Sequence, residues 1–316
     1  MRTIAVLILA TISGAALAQA YPSKIVKVVI PWPGGSNDAA GRIVFQKVAE
    51  SIGQPVVIEN RAGASGTIGA AYVAKSAPDG YTVMVTSASH IANAHLYKNL
   101  PFDALNDFIG ITPLTVQTGI LIVHPSLPVK TVKDLIALAK AKPNQILYGS
   151  SGSGSYLHLT MAHFNAMTGT KMTHVPYKGG DAAGVGVAAG ELQAMVASMP
   201  IVRPHMAGNR IRVIAVCSES RMKQLPDIPT IAESGVPGYE TGGFLALVAP
   251  AGTPRPAIDA MNAAMAKALA APGMREKLEA LGGIPSSTSP AELDRFLRSD
   301  IDKWARVIKA ANIHTE

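Results

Sequence analysis

The 316-residue chain holds a single cysteine, two tryptophans and few aromatics of any kind, and only 16% of it is charged. A lone Cys217 cannot close an intramolecular disulfide, and its place in the apolar run 211–217 marks it as a core residue. Aromatics at 5%, with no Lys/Arg cluster interleaved among them, exclude a stacking surface for nucleic acid, although the net charge is +7. That positive surplus suits attraction of anionic solutes instead. Beyond residue 20, no apolar run approaches the roughly 20 residues that span a bilayer.

Catalytic signatures are missing too. Residues 149–153, GSSGS, lack the final glycine of a G-x-S-x-G nucleophile elbow. No G-x-x-x-x-G-K-[ST] phosphate loop exists, so Lys178 is not a phosphate-loop lysine. Gly63, Gly66 and Gly69 have the wrong spacing for a dinucleotide fingerprint and serve turn and packing. His90/His95 and His158/His163 stand five apart, so neither pair shares a helix face as metal ligands should. The histidines are read as hydrogen-bonded structural residues. His158, one turn into the helix after a Gly/Ser loop, is the one of functional interest. No cofactor and no metal are expected.

What is present begins with residues 1–20, MRTIAVLILATISGAALAQA: one Arg, an apolar run and small-residue triplets. This is a secretory signal peptide with cleavage before Tyr21, which predicts an exported, periplasmic chain. At 48% apolar, the rest suffices for about two domains.

The pattern alternates. A β-branched strand at 25–30 is followed by a helix with Ala40, Val44, Val48 and Ile52 on one face, stopped by Gly53. A strand at 55–59, a helix ending near 76, a Pro-Asp-Gly turn and a strand at 81–86 complete the first unit. The order repeats with strands at 121–123, 145–148, 174–175, 193–197 and 212–217, and helices at 130–142, 155–168 and 181–189. A strand at 244–248 and helical segments at 256–270 and 290–311 close the chain. Strand–helix alternation at this spacing gives parallel sheets with right-handed crossovers.

Two loops stand out. Ser36, Asn37 and Asp38 follow the first strand, and YGSSGSGSYLH (148–158) runs from a strand into an amphipathic helix, which makes it a turn at the carboxyl edge of a sheet, where α/β folds bind ligands. Both precede helices, whose first N–H groups lack intrahelical partners and carry the positive end of the dipole. Glycines admit a ligand to the backbone, and Ser and Asn add neutral donors. With no Lys or Arg in either loop, these are backbone anion sites, and Ser36, Asn37, Asp38 and Ser155 serve as N-caps as well. About four to six hydrogen bonds to a carboxylate, at roughly 1.5–3 kcal/mol each, suffice for micromolar binding once ordering costs are offset. Trp32 either packs under the first loop or walls the cleft and stacks on a flat or apolar ligand body.

Several stretches occur together in order: YPSK (21–24), PWPGGSND (31–38), GQPVVIENRAG (53–63), APDGY (77–81), HVPYKG (174–179), LPDIPT (225–230) and APAGTP (249–254). Together they resemble the Bordetella-uptake-gene (Bug) family, periplasmic receptors of tripartite tricarboxylate transporters, over essentially the whole mature chain. The resemblance implies a type II periplasmic binding protein of the α/β class. Two Rossmann-like lobes, with parallel-dominated mixed sheets, are joined by a two-segment hinge and close like a Venus flytrap. The lobes are then 21–116 plus 245–316, and 117–244, with crossings near 113–120 and 238–245. It implies carboxylate contacts from Gly34, Gly35, Ser36, Asn37 and Asp38 of one lobe. From the other come Ser150, Ser151, Gly152, Ser153, Gly154 and Ser155. Lesser contacts fall to Ser87 and Ala88 within 86–89, to Tyr177, Lys178, Gly179 and Asp181, and to Ser198, Met199 and Pro200. The 32–36 loop is one residue shorter than the family pattern.

The expected function is non-enzymatic: a monomeric receptor that captures a small organic carboxylate, aromatic or dicarboxylic in the manner of a phthalate-like acid. It would deliver that ligand to membrane transporter subunits. The alternatives are a ligand-sensing partner of a signalling receptor and a secreted serine hydrolase using Ser151 or Ser153 activated by His158.

Overall fold

A computed structural model describes residues 21–310 and 313; the signal peptide expected at 1–20 and the end of the helix expected to reach 311 lie outside the described residues. The first unit runs β1 (Val26–Ile30), α1 (Gly35–Ile52), β2 (Val56–Asn60), a 3-10 turn (Ala64–Gly66), α2 (Thr67–Ala74), β3 (Thr82–Ser87), α3 (Ala88–Leu96) and β4 (Phe108–Thr118). The second runs β5 (Ile120–Val123), α4 (Val132–Ala141), β6 (Leu147–Ser150), α5 (Tyr156–Thr168), β7 (Thr173–Pro176), α6 (Gly180–Ala189), β8 (Ala194–Ala197), α7 (Met199–Met206) and β9 (Arg212–Val216). The chain then returns through β10 (Gly242–Pro250), α8 (Arg255–Leu269), α9 (Met274–Ala280), β11 (Gly283–Pro285) and α10 (Pro290–Ala310).

Two sheets result, in the orders β11-β4-β10-β3-β1-β2 and β7-β6-β8-β5-β9. Side chains alternate across the first: Val28, Val83 and Val85 face α1 and α8, while Val29, Met84 and Ala246 face α2, α3 and α10. The second sheet is buried among α4, α5, α6 and α7. Burying a Val, Ile or Leu side chain stabilises by about 1.5–3 kcal/mol, so continuous β-branched strands covered on both faces are what such a sheet needs.

Parallel pairing is less dominant than expected. β1/β2, β1/β3, β6/β7 and β6/β8 are parallel, but β10 and β5, the strands that carry the chain into each sheet from the other, run antiparallel to their neighbours. They enter from the opposite end. β4 leaves the first sheet at Thr118 and, after Gly119, becomes β5 of the second; beside it, β10 begins at Gly242, registered against Thr118. The Cys217 amide donates to Gly119 O at 2.8 Å and the Thr241 amide to Cys217 O at 2.9 Å, which ties the two crossings together.

Helix ends follow local chemistry. Gly53 closes α1 and Gly169 closes α5, each at φ near +65°, a conformation glycine adopts without penalty. Thr131 and Asp134 form a capping box on α4.

Candidate functional site

A cleft of about 440 Å³ opens between the sheets, at the carboxyl ends of β1, β3, β6, β7 and β8. Five helices begin on it. α1 contributes Gly34, Ser36 and Asn37; α3 contributes Ser87, Ala88 and Ser89; α5 contributes Ser155, Tyr156 and Leu157; α6 contributes Gly179, Gly180 and Asp181; α7 contributes Ser198. No side chain caps α1, α3, α6 or α7, and the first amides of α1, α3 and α6 remain available; in α7 Pro200 has no amide and the Ile201 amide donates to Ser198 O at 3.0 Å. Ser155 caps α5 by accepting from the His158 amide at 3.3 Å. Five converging dipole ends make a field of positive sign without a buried cation. Among the described residues, the only charged side chains on the lining are Lys178 and Asp181.

Twelve of the residues singled out from sequence come together here: Trp32, Gly34, Ser36, Asn37, Ser87, Ala88, Ser151, Ser155, Lys178, Gly179, Asp181 and Ser198. Gly35 opens α1. Others point elsewhere. Asp38 accepts from Gly34 N, Arg42 Nε and Asn60 Nδ2, so it orders the loop from behind. Burial alone would raise its carboxyl, but the bonds from Asn60, Arg42 and Gly34 outweigh it and hold the group below the usual carboxylate range. Ser150 is fully buried, its Oγ 2.6 Å from His174 Nε2. Gly152 and Gly154 spend their amides on Ser150 Oγ and His158 Nδ1. Ser153 is exposed, Tyr177 turns its hydroxyl to Glu191, Met199 joins the core of the second sheet, and Pro200 Cδ faces Gly282. The Gly/Ser loop is therefore capped in its middle by its own side chains and open at its two ends, Ser151 and Ser155.

Trp32 packs on the turn at Gly66 and also reaches the cleft. A Cβ on Gly66 would stand 2.9 Å from Trp32 Cζ2, so the ring is seated on that glycine, and it also borders the cleft. Several lining residues escaped the sequence reading, among them Ser65, Gln117, Tyr156, Gly243 and Phe244. Gln117 and Gly243 lie on the crossing strands, and polar or glycine residues inside an otherwise apolar strand were the available signal. Gln117 Nε2 donates to Asn37 Oδ1 at 2.9 Å. That bond uses the acceptor of Asn37 and leaves its amide hydrogens to face the cleft.

Among the described residues, no serine lining the cleft has its hydroxyl on a basic side chain. His158 Nδ1 accepts the Gly154 amide, and its ring lies on that of His174 with centroids 3.8 Å apart. Burial and then the neighbouring His174 pull His158 down to about 3, and burial pulls His174 to about 4. Both are neutral packing residues. Among the described residues, no group of three His, Cys, Asp or Glu could hold a metal, and no helix is long and apolar enough to cross a membrane.

The family model for the tripartite tricarboxylate transporter family receptor matches residues 40–313. The chain belongs to this family. Its members are periplasmic solute-binding receptors, and the Bug proteins are among them. BugT of Bordetella pertussis is 32% identical over 295 residues, 92% of this chain and 90% of BugT. Rpa4515 of R. palustris, solved with adipate, is 36% identical with a TM-score of 0.84, covering 93% of this chain and all of that one. MatC of Rhodopseudomonas palustris, solved with bound malate, is 28% identical with a TM-score of 0.81 over 91% of this chain and all of that one.

Proposed function

We propose that this receptor is exported to the periplasm by its N-terminal signal, binds a small organic carboxylate in the cleft as a monomer, and delivers it to a tripartite tricarboxylate-type membrane transporter. It performs no covalent chemistry. The moving units are residues 21–116 plus 245–316, and 117–244, turning about the crossings at Gly119 and Gly242. The observation that carries the reading is the convergence of five helix starts, four without side-chain caps, on a cleft with one lysine and one aspartate. Such a site rewards an anion and offers little to a cation.

The carboxylate sits between the first turn of α1 and the two open ends of the Gly/Ser loop, with Asn37 Nδ2 and the hydroxyls of Ser36, Ser151 and Ser155 as added donors. Trp32 and Phe244 supply apolar wall for the body of the ligand. The adipate and malate complexes of the relatives support a dicarboxylate, and the aromatic wall leaves room in the same class for a phthalate-like acid.

A thermal-shift screen over mono-, di- and aromatic carboxylates tests this. A ligand at about 100 times its dissociation constant adds about 2.7 kcal/mol of stability. A carboxylate that shifts melting while its amide analogue does not supports the reading. A screen in which neutral or cationic solutes shift melting and no carboxylate does would overturn it.

A further inference from the structure

Tyr156 is the first residue of α5, so its amide belongs to the helix start on the cleft, while its side chain leads to the crossings. The phenol hydroxyl donates to Thr241 O at 2.9 Å. A Cβ on Gly243 would stand 3.2 Å from Tyr156 Cζ, and one on Gly119 would stand 3.3 Å from the hydroxyl. Each crossing thus presents a glycine where the ring sits. The two glycines flank the segment held by the Gly119–Cys217–Thr241 backbone bonds. Among the described residues, Tyr156 alone packs, partly buried, against both the core of the second sheet and the core on the α10 face of the first.

We propose that Tyr156 is a positioning residue that couples occupancy of the α5 helix start to the angle between the lobes. A displacement of α5 toward a bound anion moves the ring, and the ring bears on both crossing strands at once through Gly119, Gly243 and Thr241. The hydroxyl bond fixes one angle of that lever. Tyr156 also borders the cleft, and its hydroxyl bond to Thr241 O, the one group that a phenylalanine lacks, is the part of the side chain that bears on the hinge. The ligand arm of the inference rests on the carboxylate reading above; the hinge arm does not.

The test compares wild type with Tyr156→Phe, which keeps the ring and removes the hydroxyl, and with Gly243→Ala, which crowds it. Hydrogen exchange of the ligand-free proteins is followed in the crossing segments 116–120 and 239–243, with β3 and β8 as internal references. Tyr156→Phe is expected to speed exchange in both crossings by about three- to tenfold, the effect of one lost neutral hydrogen bond, with the references unmoved. Affinity for adipate or malate, whichever wild type binds, is expected to weaken by a similar factor in both variants. Unchanged crossing exchange in Tyr156→Phe overturns the proposal. So does faster exchange with unaltered affinity, because the tyrosine would then be structural only. Wild type that binds neither acid would count against the carboxylate reading, and the exchange arm would still decide the hinge. If Gly243→Ala fails to fold, Tyr156→Phe carries both arms.

Discussion

Asn37→Asp separates binding from folding by giving them opposite signs. In the native cleft, Gln117 Nε2 donates to Asn37 Oδ1 at 2.9 Å, so the amide hydrogens of Asn37 are the part offered to a ligand. An aspartate keeps the shape and the bond from Gln117. It loses the donors and adds a negative charge beside the proposed carboxylate. The lost bond to a charged acceptor is worth about 1.5–3 kcal/mol. Repulsion at about 4 Å adds about 4 kcal/mol at an effective dielectric of 20. The sum, about 5.5–7 kcal/mol, predicts a loss of carboxylate affinity of about ten-thousandfold or more. The same charge lies in the first turn of α1, which no side chain caps, and an acidic residue there stabilises by about 0.3–1 kcal/mol. Ligand-free Asn37→Asp should therefore unfold at equal or higher denaturant than wild type while failing to titrate in calorimetry with any acid that wild type binds. Retained affinity would refute the placement of the anion at α1.

Among the described residues, Asp181 is the only acidic side chain on the cleft lining, so Asp181→Asn should tighten binding of a carboxylate by about fivefold, from about 1 kcal/mol of relieved repulsion in a wet site. Weaker binding, measured by the same titration, would mean that Asp181 accepts a hydrogen bond from the ligand. Gly66 holds φ +92° with Trp32 Cζ2 only 2.9 Å from where a Cβ would stand, so Gly66→Ala should cost about 1–3 kcal/mol and displace the indole. Urea unfolding gives the first quantity. Trp32 emission in a Trp304→Phe background gives the second, and an unmoved spectrum would contradict the seat. His90, His163 and His174 are held near 4 and His158 near 3 by burial, all below their ordinary 6.5. Below pH 6.5 the unfolded chain gains protons that the folded chain refuses, so stability present above 6.5 is lost as pH falls toward 4. Each histidine contributes up to about 1.4 kcal/mol per pH unit, and melting that is flat between pH 6.5 and 4 would contradict their burial.

The parts of the fold written in local chemistry were legible. Gly53 and Gly169 end their helices as glycine stops do, and the β-branched runs at 25–30 and 55–59 became β1 and, at the edge of the first sheet, β2. The misses share a cause: tertiary context overrode a local signal. β4 was not expected because Pro113 interrupts it, but the proline sits at a register shift against β10, where a ladder bond is already lost. α7 carries Pro200 in its first turn, where no amide partner is needed, and Pro204 inside the helix, two residues before its end at Met206. In the site, sequence identified the loops but not which residues inside them face outward. That choice is made by partners distant in the chain, Asn60 for Asp38 and His174 for Ser150, together with Arg42 and His158 one helical turn on. Tyr156 and Gln117 were invisible for a related reason, since their roles depend on where two crossing strands meet.

On the proposed reading, the absence of caps at the cleft does more than leave room for a ligand. In the open state, water satisfies the first amides of α1, α3 and α6. Closing the lobes on an empty cleft would strip that water and leave donors buried without acceptors, at about 1–3 kcal/mol for each one stranded. Two or three such groups outweigh the few kcal/mol that separate typical open and closed states, so an empty receptor is held open by its own backbone. A carboxylate supplies the missing acceptors and removes the penalty. A buried arginine would bind the anion more strongly, but it would also carry its desolvation cost into every state of the hinge and would hold the ligand against release. Neutral donors at helix starts let closure report occupancy and still let the cargo leave.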